Sequence, residues 1–479
     1  MRRKTFILAA ILLTLVFALC GCAENSYGPI DTLSENGSAK VMSNGGTVVI
    51  QGSYLYFING ITSYSSENTF GNVVKGAIYR VQLDGEGNVV EDTLQCVVPK
   101  KVFNSYKNGG GFYVFGDWIY YSTPSTIKDT SGNETTTILE FYRAKTDGTS
   151  TQLILRLDGN STPYAFSDKN LVYYSSNTLY SVDLTDANFK SVVLSENVTA
   201  ATFSAQTEYD PADTSVNNEF VVFYTKAATE EEATYNELYV TTFDGSVNKL
   251  LIGKETYFSE EELGEITKPE DSLDYKRLYT VSVLGYQNGV LYFTKSYSES
   301  GSSTACGVFS YDFSAWFDAD NSYDIANEVQ YSTVNYTSVF SIGDGKLLAS
   351  DGSAIWLIKP IEGSAIRKKI FTAANSVRYF KDGYVYYCTS GALDVYRIKF
   401  APLENDTEPE QRQNVTDSTP LESWLPMEFI GDYLYYQNPD YSYIYRLNLT
   451  DGTEEMLGEM NAADKEAYEE SLEEEEEAA

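Results

Sequence analysis

The stretch that decides the fold runs from Gly431 to Gly452 and reads GDYLYYQNPDYSYIYRLNLTDG. A Gly-Asp turn opens Tyr433-Leu434-Tyr435-Tyr436, a short polar turn follows, and Ile444-Tyr445-Arg446-Leu447-Asn448-Leu449 runs into Asp451-Gly452. Alternation puts Leu434 and Tyr436 on one face of the first run, and Tyr445, Leu447 and Leu449 on one face of the second. That is the pattern of two adjacent strands in a packed sheet. The Asp-Gly and Gly-Asp pairs supply the positive-φ positions that tight antiparallel turns need.

The same grammar recurs upstream: an aliphatic residue, an aromatic one two places later, a gap, and a second alternating run. The pairs are Leu55/Phe57, Ile119/Tyr121, Val172/Tyr174, Val222/Tyr224, Leu291/Phe293, Val385/Tyr387 and Leu434/Tyr436, with Leu347/Ala349 as a member that lacks the ring. Their steps are 64, 53, 50, 69, 56, 38 and 49 residues, so eight copies occupy most of the chain. Several second runs also match: AIYRVQLDG from Ala77, EFYRAKTDG from Glu140, ELYVTTFDG from Glu237, DVYRIKF from Asp394 and YIYRLNLTDG from Tyr443. Repeats of this period, each long enough for four strands with turns, mean a propeller or a linear array.

A hairpin that is partly apolar on both faces is unstable alone and must bury itself against its neighbours. A radial array does this and leaves only short protected edges. The expected fold is therefore an all-β propeller of seven to eight four-stranded blades, eight favoured, in a single domain; a strand borrowed from the first copy by the last would alter the count. In the third copy the expected strands are Pro163 to Ser167, Leu171 to Ser175, Thr178 to Leu184 and Lys190 to Leu194. A linear array of β-units is the alternative, and the absence of obvious polar caps at either end argues against it.

At the start of the chain, Arg2, Arg3 and Lys4 precede the apolar run Phe6 to Leu19, which has the layout of an export signal and is short for a membrane span. It ends in Leu19-Cys20-Gly21-Cys22, which resembles the bacterial lipobox, a small residue before an invariant cysteine. That resemblance implies a signal peptide over 1–21 and acylation, with palmitate-class chains, of Cys22 as the first mature residue. Ordinary secretion is the alternative, because Gly21-Cys22-Ala23 also passes as a small-x-small cleavage site. Residues 22–44 are rich in Ser, Asn, Gly and acidic residues and read as a flexible tether, with the folded body over 45–458. The end, 459–479, reads as an acidic tail.

The formal charge of −34 becomes −37 once Arg2, Arg3 and Lys4 are removed, and no basic phosphate-binding stripe is present, so nucleic acid is excluded as a partner. The charge itself needs no explanation beyond solubility. The 40 Tyr and 24 Phe against 5 Met favour sheet over helix. Beyond Cys20 and Cys22, the remaining Cys96, Cys306 and Cys388 match no metal spacing and are expected to be free buried or half-buried thiols, although one disulfide among them stays open.

The absence of histidine removes Ser-His-Asp and Cys-His catalysis and His-based zinc sites together. No GxSxG elbow, P-loop or post-strand GxGxxG occurs. Paired carboxylates would suffice for glycoside hydrolysis, but among 68 acidic residues such a pair arises by chance. No metal site and no cofactor are expected. Asp84, Asp147, Asp244, Asp351 and Asp451, each before a glycine, are read as turn residues.

Three excursions break the rhythm: Gly253 to Arg277, Ala315 to Tyr331 and Ala401 to Leu421, the last read as a linker loop. Loops on a rigid scaffold concentrate function. The weak ligand-binding candidates are Trp316, Asp318, Asp320, Asn321 and Asp324 in the second excursion, and Trp424. The carboxylates there have the oxygen chemistry of a Ca²⁺ site without EF-hand spacing, so a solvated acidic loop is the simpler reading. The two tryptophans with Tyr64, Tyr106, Tyr257, Tyr297 and Tyr441 could stack sugars or a peptide, or fill gaps between blades. Tyr79, Tyr142, Tyr180, Tyr239, Tyr396 and Tyr445 sit at equivalent repeat positions and are read as core.

The pairing of YLYY, WIYY or YVYY with a following IYR…DG run resembles bacterial cell-envelope lipoproteins with tandem Tyr-rich repeats, classed as a domain of unknown function. It is also similar to the YWTD propeller of low-density-lipoprotein-receptor type and, more distantly, to the Tol–Pal translocation propeller. The likeness covers roughly Gly45 to Gly458. It implies a propeller and carries no catalytic residue over; no literal YWTD copy is present. The expected function is a non-enzymatic binding or assembly module, lipid-anchored on the extracytoplasmic face of the cell membrane, with a protein or glycan ligand. A carbohydrate-binding or carbohydrate-active propeller and a structural envelope protein are the alternatives.

Overall fold

In the computed structural model, the described residues are 39–458 except 61–75, 103–110, 125–137, 159–162, 205–207, 213–219, 231–232, 254–278, 300–301, 314–322, 364, 366, 373, 390–393, 406–411, 417–426 and 438–443. The deciding stretch forms two strands, Tyr433–Gln437 and Ile444–Asn448, between Met427–Ile430 on the inside and Glu454–Met456 on the outside. Tyr436 faces Tyr445 across the pair, with ring centroids 5.8 Å apart and nearly parallel. Offset stacks of this kind add about 0.5–1.5 kcal/mol to the burial itself.

Seven further sheets repeat the arrangement, so eight antiparallel four-stranded blades span 48–98, 112–158, 164–196, 198–252, 279–330, 338–372, 374–414 and 427–456. The repeated aromatic of the second strand meets an aromatic of the third in seven of them, for example Phe57 with Tyr79, Tyr121 with Tyr142, and Tyr224 with Tyr239. In blade six Ala349 faces Trp356 instead, which explains the copy without a ring. In blade three the pair is Tyr173 and Tyr180, not Tyr174, because the run NLVYYS is apolar in both phases and alternation alone does not fix its frame. Of the repeated third-strand tyrosines, Tyr79 is buried, while Tyr142, Tyr180, Tyr239, Tyr396 and Tyr445 are half-buried.

Continuous apolar clusters join each blade to the next, and the last joins Ile430, Tyr435, Ile444 and Leu457 of blade eight to Val48, Leu55 and Phe57 of blade one. The ring is closed by this packing. No strand is exchanged between blades one and eight, since each draws its four strands from one run of chain. Three polar clasps reinforce the seam. Glu428 accepts from Thr47 N–H, from Thr47 Oγ1 at 2.7 Å and from Ser43 Oγ at 2.5 Å. Gln437 donates to the Ile58 carbonyl at 3.1 Å, and Arg446 donates to the Gly87 carbonyl at 2.9 Å.

Strand direction divides the disc into two faces. Turns from first to second and from third to fourth strand lie on one face, the turn face. Connections from second to third strand and between blades lie on the other, the loop face.

The ring takes in more of the N-terminal region than expected. Val41–Met42 lies antiparallel to Val48–Gln51 on the axial side of blade one, ahead of Gly45. Its other edge pairs with Glu208–Tyr209, carried by the connection between the first two strands of blade four. The third excursion is also more ordered than a linker: Phe400–Glu404 is a short helix with Phe400 buried, and Gln413–Asn414 is the outer strand of blade seven. Cys96 and Cys388 are buried and Cys306 is half-buried, and no disulfide joins these three. No helix of the described residues is long and apolar enough to cross a membrane.

Candidate functional site

Most of the repeat's polar chemistry is committed to holding the ring together. In blades one, two, seven and eight the third strand carries an arginine, Arg80, Arg143, Arg397 or Arg446, and each makes the same three contacts. Its Nε donates to a Gln or Glu of the outer strand: Gln95 at 3.0 Å, Gln152 at 2.8 Å, Gln413 at 2.7 Å and Glu455 at 2.7 Å. Its Nη1 donates to a backbone carbonyl beyond the third strand of the next blade: Thr146, Leu184, Leu449 or Gly87. Its guanidinium lies over an aromatic ring at the start of the second strand, Tyr54, Trp118, Tyr384 or Tyr433, at 4.4–5.2 Å. The rigid fork of arginine suits three simultaneous contacts. The blade six to seven interface is held differently, by Lys346 and Lys359 on the Glu404 carboxylate and Lys368 on its carbonyl.

The other four blades lack the arginine, with Ser181, Val240, Ser310 and Leu357 at its position in blades three to six. In blade three, by strand register, Ser181 stands where the arginine does, Asn170 where the aromatic ring does, and Val192 where the Gln or Glu does. Ser181 Oγ keeps the bond to the next blade, donating to the Phe243 carbonyl at 2.6 Å, and Asn170 Nδ2 donates to Ser181 Oγ at 3.2 Å. The volume of a guanidinium stacked on a ring is left open. A groove of about 380 Å³ occupies it on the turn face. Its charged lining is Lys169, Lys190, Asp183 and Asp244, and its neutral lining is Asn170, Ser181, Thr185 and Val192. Asp183 accepts from Thr185 N–H at 2.8 Å and Oγ1 at 2.6 Å, and Asp244 accepts from Thr242 Oγ1 at 2.6 Å and Ser246 Oγ at 2.8 Å. These bonds hold both carboxyls below the usual carboxylate range, against the burial that raises Asp244.

A second distinctive region lies at the axis. There Tyr209 packs edge-on against Phe115 at 5.2 Å and beside Phe220 at 5.6 Å, so the crossing from blade four is seated on aromatic rings of blades two and four. Lys40 pairs with Glu208 at the same place, and the Gly52 N–H donates to the Lys40 carbonyl. The chain thus enters the ring at the axial end of the turn face.

Of the sequence-predicted site residues, Trp316, Asp318, Asp320, Asn321, Trp424 and Cys22 lie outside the described residues, as do Tyr64, Tyr106, Tyr257 and Tyr441. Asp324 caps a short 3₁₀ turn, accepting from Ala326 N–H at 2.9 Å. Tyr297 is in a blade-five strand opposite Tyr279. The Asp-Gly aspartates act as turn residues: Asp84, Asp147, Asp351 and Asp451 each accept from a backbone N–H two residues on, as Asp244 does. The three excursions depart from strand ends on different faces. The first leaves the fourth strand of blade four on the loop face, whereas the second and third connect third to fourth strands on the turn face. Among the described residues no group of three or more His, Cys, Asp or Glu is placed to hold a metal ion. The missing staple was overlooked in the sequence, yet aligning the IYR runs exposes it, since Tyr180 is followed by Ser181.

Neither a family model nor a curated protein matches this sequence. Among solved structures the chain is similar to apo AztD from Citrobacter koseri, at 10% identity over 85% of this chain and 94% of that one, with a TM-score of 0.38. It is similar to a prolyl endopeptidase at 12% identity over 88% of this chain and 56% of that one, TM-score 0.39. It is also similar to the uncharacterized protein lmo1340 from Listeria monocytogenes EGD-e, at 10% identity over 72% and 92%, TM-score 0.35. At these values the likenesses carry nothing about ligand or chemistry.

Proposed function

We propose that the chain is an extracytoplasmic binding or assembly module, tethered through an acylated Cys22 and performing no chemistry of its own. The observation that carries the reading is the route of the chain into the ring. The segment leading from Cys22 joins the disc at Lys40 and Val41, at the axis and on the turn face, and is pinned there by Glu208–Tyr209. A stretch of that length would span roughly 25 Å on average if it behaves as the tether its composition predicts. Four strands and half a channel give a disc radius of about the same size. A tether joining at the axis therefore puts the turn face on the membrane side at a reach about equal to the disc radius, and both faces stay open to ligands. The acidic chain is repelled by anionic headgroups, which keeps the disc standing off the bilayer.

Two measurements test this. Growth with an alkyne-tagged fatty acid is expected to label the wild type and not Cys22→Ser, and equal labelling removes the anchor. Purified full-length protein is expected to turn over neither glycan nor peptide substrates. Turnover that is lost on replacing a single carboxylate removes the non-enzymatic half.

A further inference from the structure

The geometry points to the groove between blades three and four as a binding site for a neutral sugar unit, a hexose or N-acetylhexosamine. The inference rests on the binding-module reading for its setting and names a ligand class for it; the residues differ from the tryptophans and aspartates expected from sequence.

The first argument is the contrast with the four stapled blades. Four blades place an arginine, an aromatic ring and a Gln or Glu at these positions, and the same trio would serve the interface of blade three with blade four. Ser181, Asn170 and Val192 forgo that stabilisation and retain only the hydroxyl bond to Phe243. Blades four, five and six also lack the arginine, so its absence alone marks no site; what blade three adds is the open groove bounded by those three positions.

Second, the lining selects the ligand. Lys169 and Lys190 against Asp183 and Asp244 sum to no net charge, so an ion of either sign meets repulsion along with attraction. A neutral polyol meets neither. Each sugar hydroxyl both donates and accepts, which matches two carboxylate acceptors, two ammonium donors, the Asn170 amide and the Thr185 oxygen. The aspartates are held in position by their turn bonds before any ligand arrives. Val192, 46% exposed on the groove wall, supplies an apolar patch for the C–H face of a pyranose. The volume of about 380 Å³ lies at the small end of ligand clefts and suits one or two sugar rings.

The test transplants the blade-one trio into blade three. Full-length wild type and Asn170→Tyr/Ser181→Arg/Val192→Gln are titrated by saturation-transfer NMR with glucose, galactose, mannose and N-acetylglucosamine. Glucose 6-phosphate and glucosamine serve as charged comparators. The expected result is that at least one neutral sugar binds wild type more tightly than either comparator, and at least tenfold more weakly to the triple variant, whose melting temperature is unchanged or raised. If the triple variant does not fold, Lys190→Met/Thr185→Ala, on the exposed rim, is expected to show the same tenfold loss with unchanged melting. No neutral sugar bound, binding of the charged comparators alone, or unchanged affinity in the folded groove variant each overturns the assignment. A chain that is acylated at Cys22 and binds no sugar leaves the anchored-module reading standing, so the two failures are distinguishable.

Discussion

Replacing Arg446 tests whether the arginine staples close the ring. Its side chain is 4% exposed, so its bonds are made largely out of water. The Nη1 bond to the Gly87 carbonyl crosses the seam between blades eight and one, and a bond from a charged donor is worth about 1.5–3 kcal/mol. The Nε contact with Glu455 counts for less, about 0–1 kcal/mol, because that carboxylate is 46% exposed and screened. The stack on Tyr433 at 4.5 Å adds about 0.5–2 kcal/mol. Arg446→Met keeps most of the apolar stem and loses all three, and water can reach the half-buried Gly87, so the expected loss is about 3 kcal/mol. Urea unfolding followed by circular dichroism measures it. Arg446→Lys should recover less than half, since one ammonium cannot serve the carbonyl, the carboxylate and the ring in the same geometry. Because blades eight and one are joined by no direct run of chain, Arg446→Met should also speed proteolysis within blade eight. Arg143→Met, at the chain-linked blade two to three interface, should not speed it in that blade. A methionine variant within about 0.5 kcal/mol of wild type, or full recovery by lysine, refutes the staple account.

Glu428 gives a pH signature. Burial outweighs its hydrogen bonds and raises its carboxyl above the ordinary 4.5, so the native state holds this proton more tightly than the unfolded chain does. Its contribution therefore favours the native state on the acid side and is lost as pH rises through the raised value. Glu428→Gln keeps an acceptor oxygen for Thr47 and an amide for Ser43 Oγ without the charge. Its urea midpoint relative to wild type should rise between pH 5 and 8, and a flat or falling difference contradicts the burial argument. Gly307→Ala should be severely destabilising, by about 3 kcal/mol or more, or prevent folding. Gly307 has φ 112°, and a Cβ there would overlap the Ser332 carbonyl. A soluble variant with wild-type melting would show that the backbone at Gly307 is not a constraint.

How much was legible beforehand follows from what each feature depends on. Blade number was legible because the ring of the second strand stacks on the ring of the third, a contact between runs close in sequence that recurs seven times. The frame of blade three was not, since Leu171, Val172, Tyr173 and Tyr174 are apolar in both phases and only pairing to Tyr180 selects one. The helix at Phe400–Glu404 was hidden by its Pro402 and by the polar residues after it, and it forms around a buried Phe400 and three lysines on Glu404. The axial crossing had no local signal. Val41–Met42 and Glu208–Tyr209 are two residues each, lie far apart in sequence, and gain order only because a closed ring brings blades one and four across a common axis.

The groove shows why repeats conceal sites as well as announce folds. Matching copies against one another finds what is shared, and what is shared is structural: Arg80, Arg143, Arg397 and Arg446 are conspicuous because they do the same thing four times. Ser181, Asn170 and Val192 carry no motif, and each is unremarkable alone. They acquire meaning only when strand register places them on the three positions that the staple occupies elsewhere. At that interface the space of the missing stack is bounded by four charges that cancel. Four of the eight blades lack the arginine, and at this interface the vacated positions line a groove while Ser181 keeps the bond between blades, which leaves it free to be selected for a ligand.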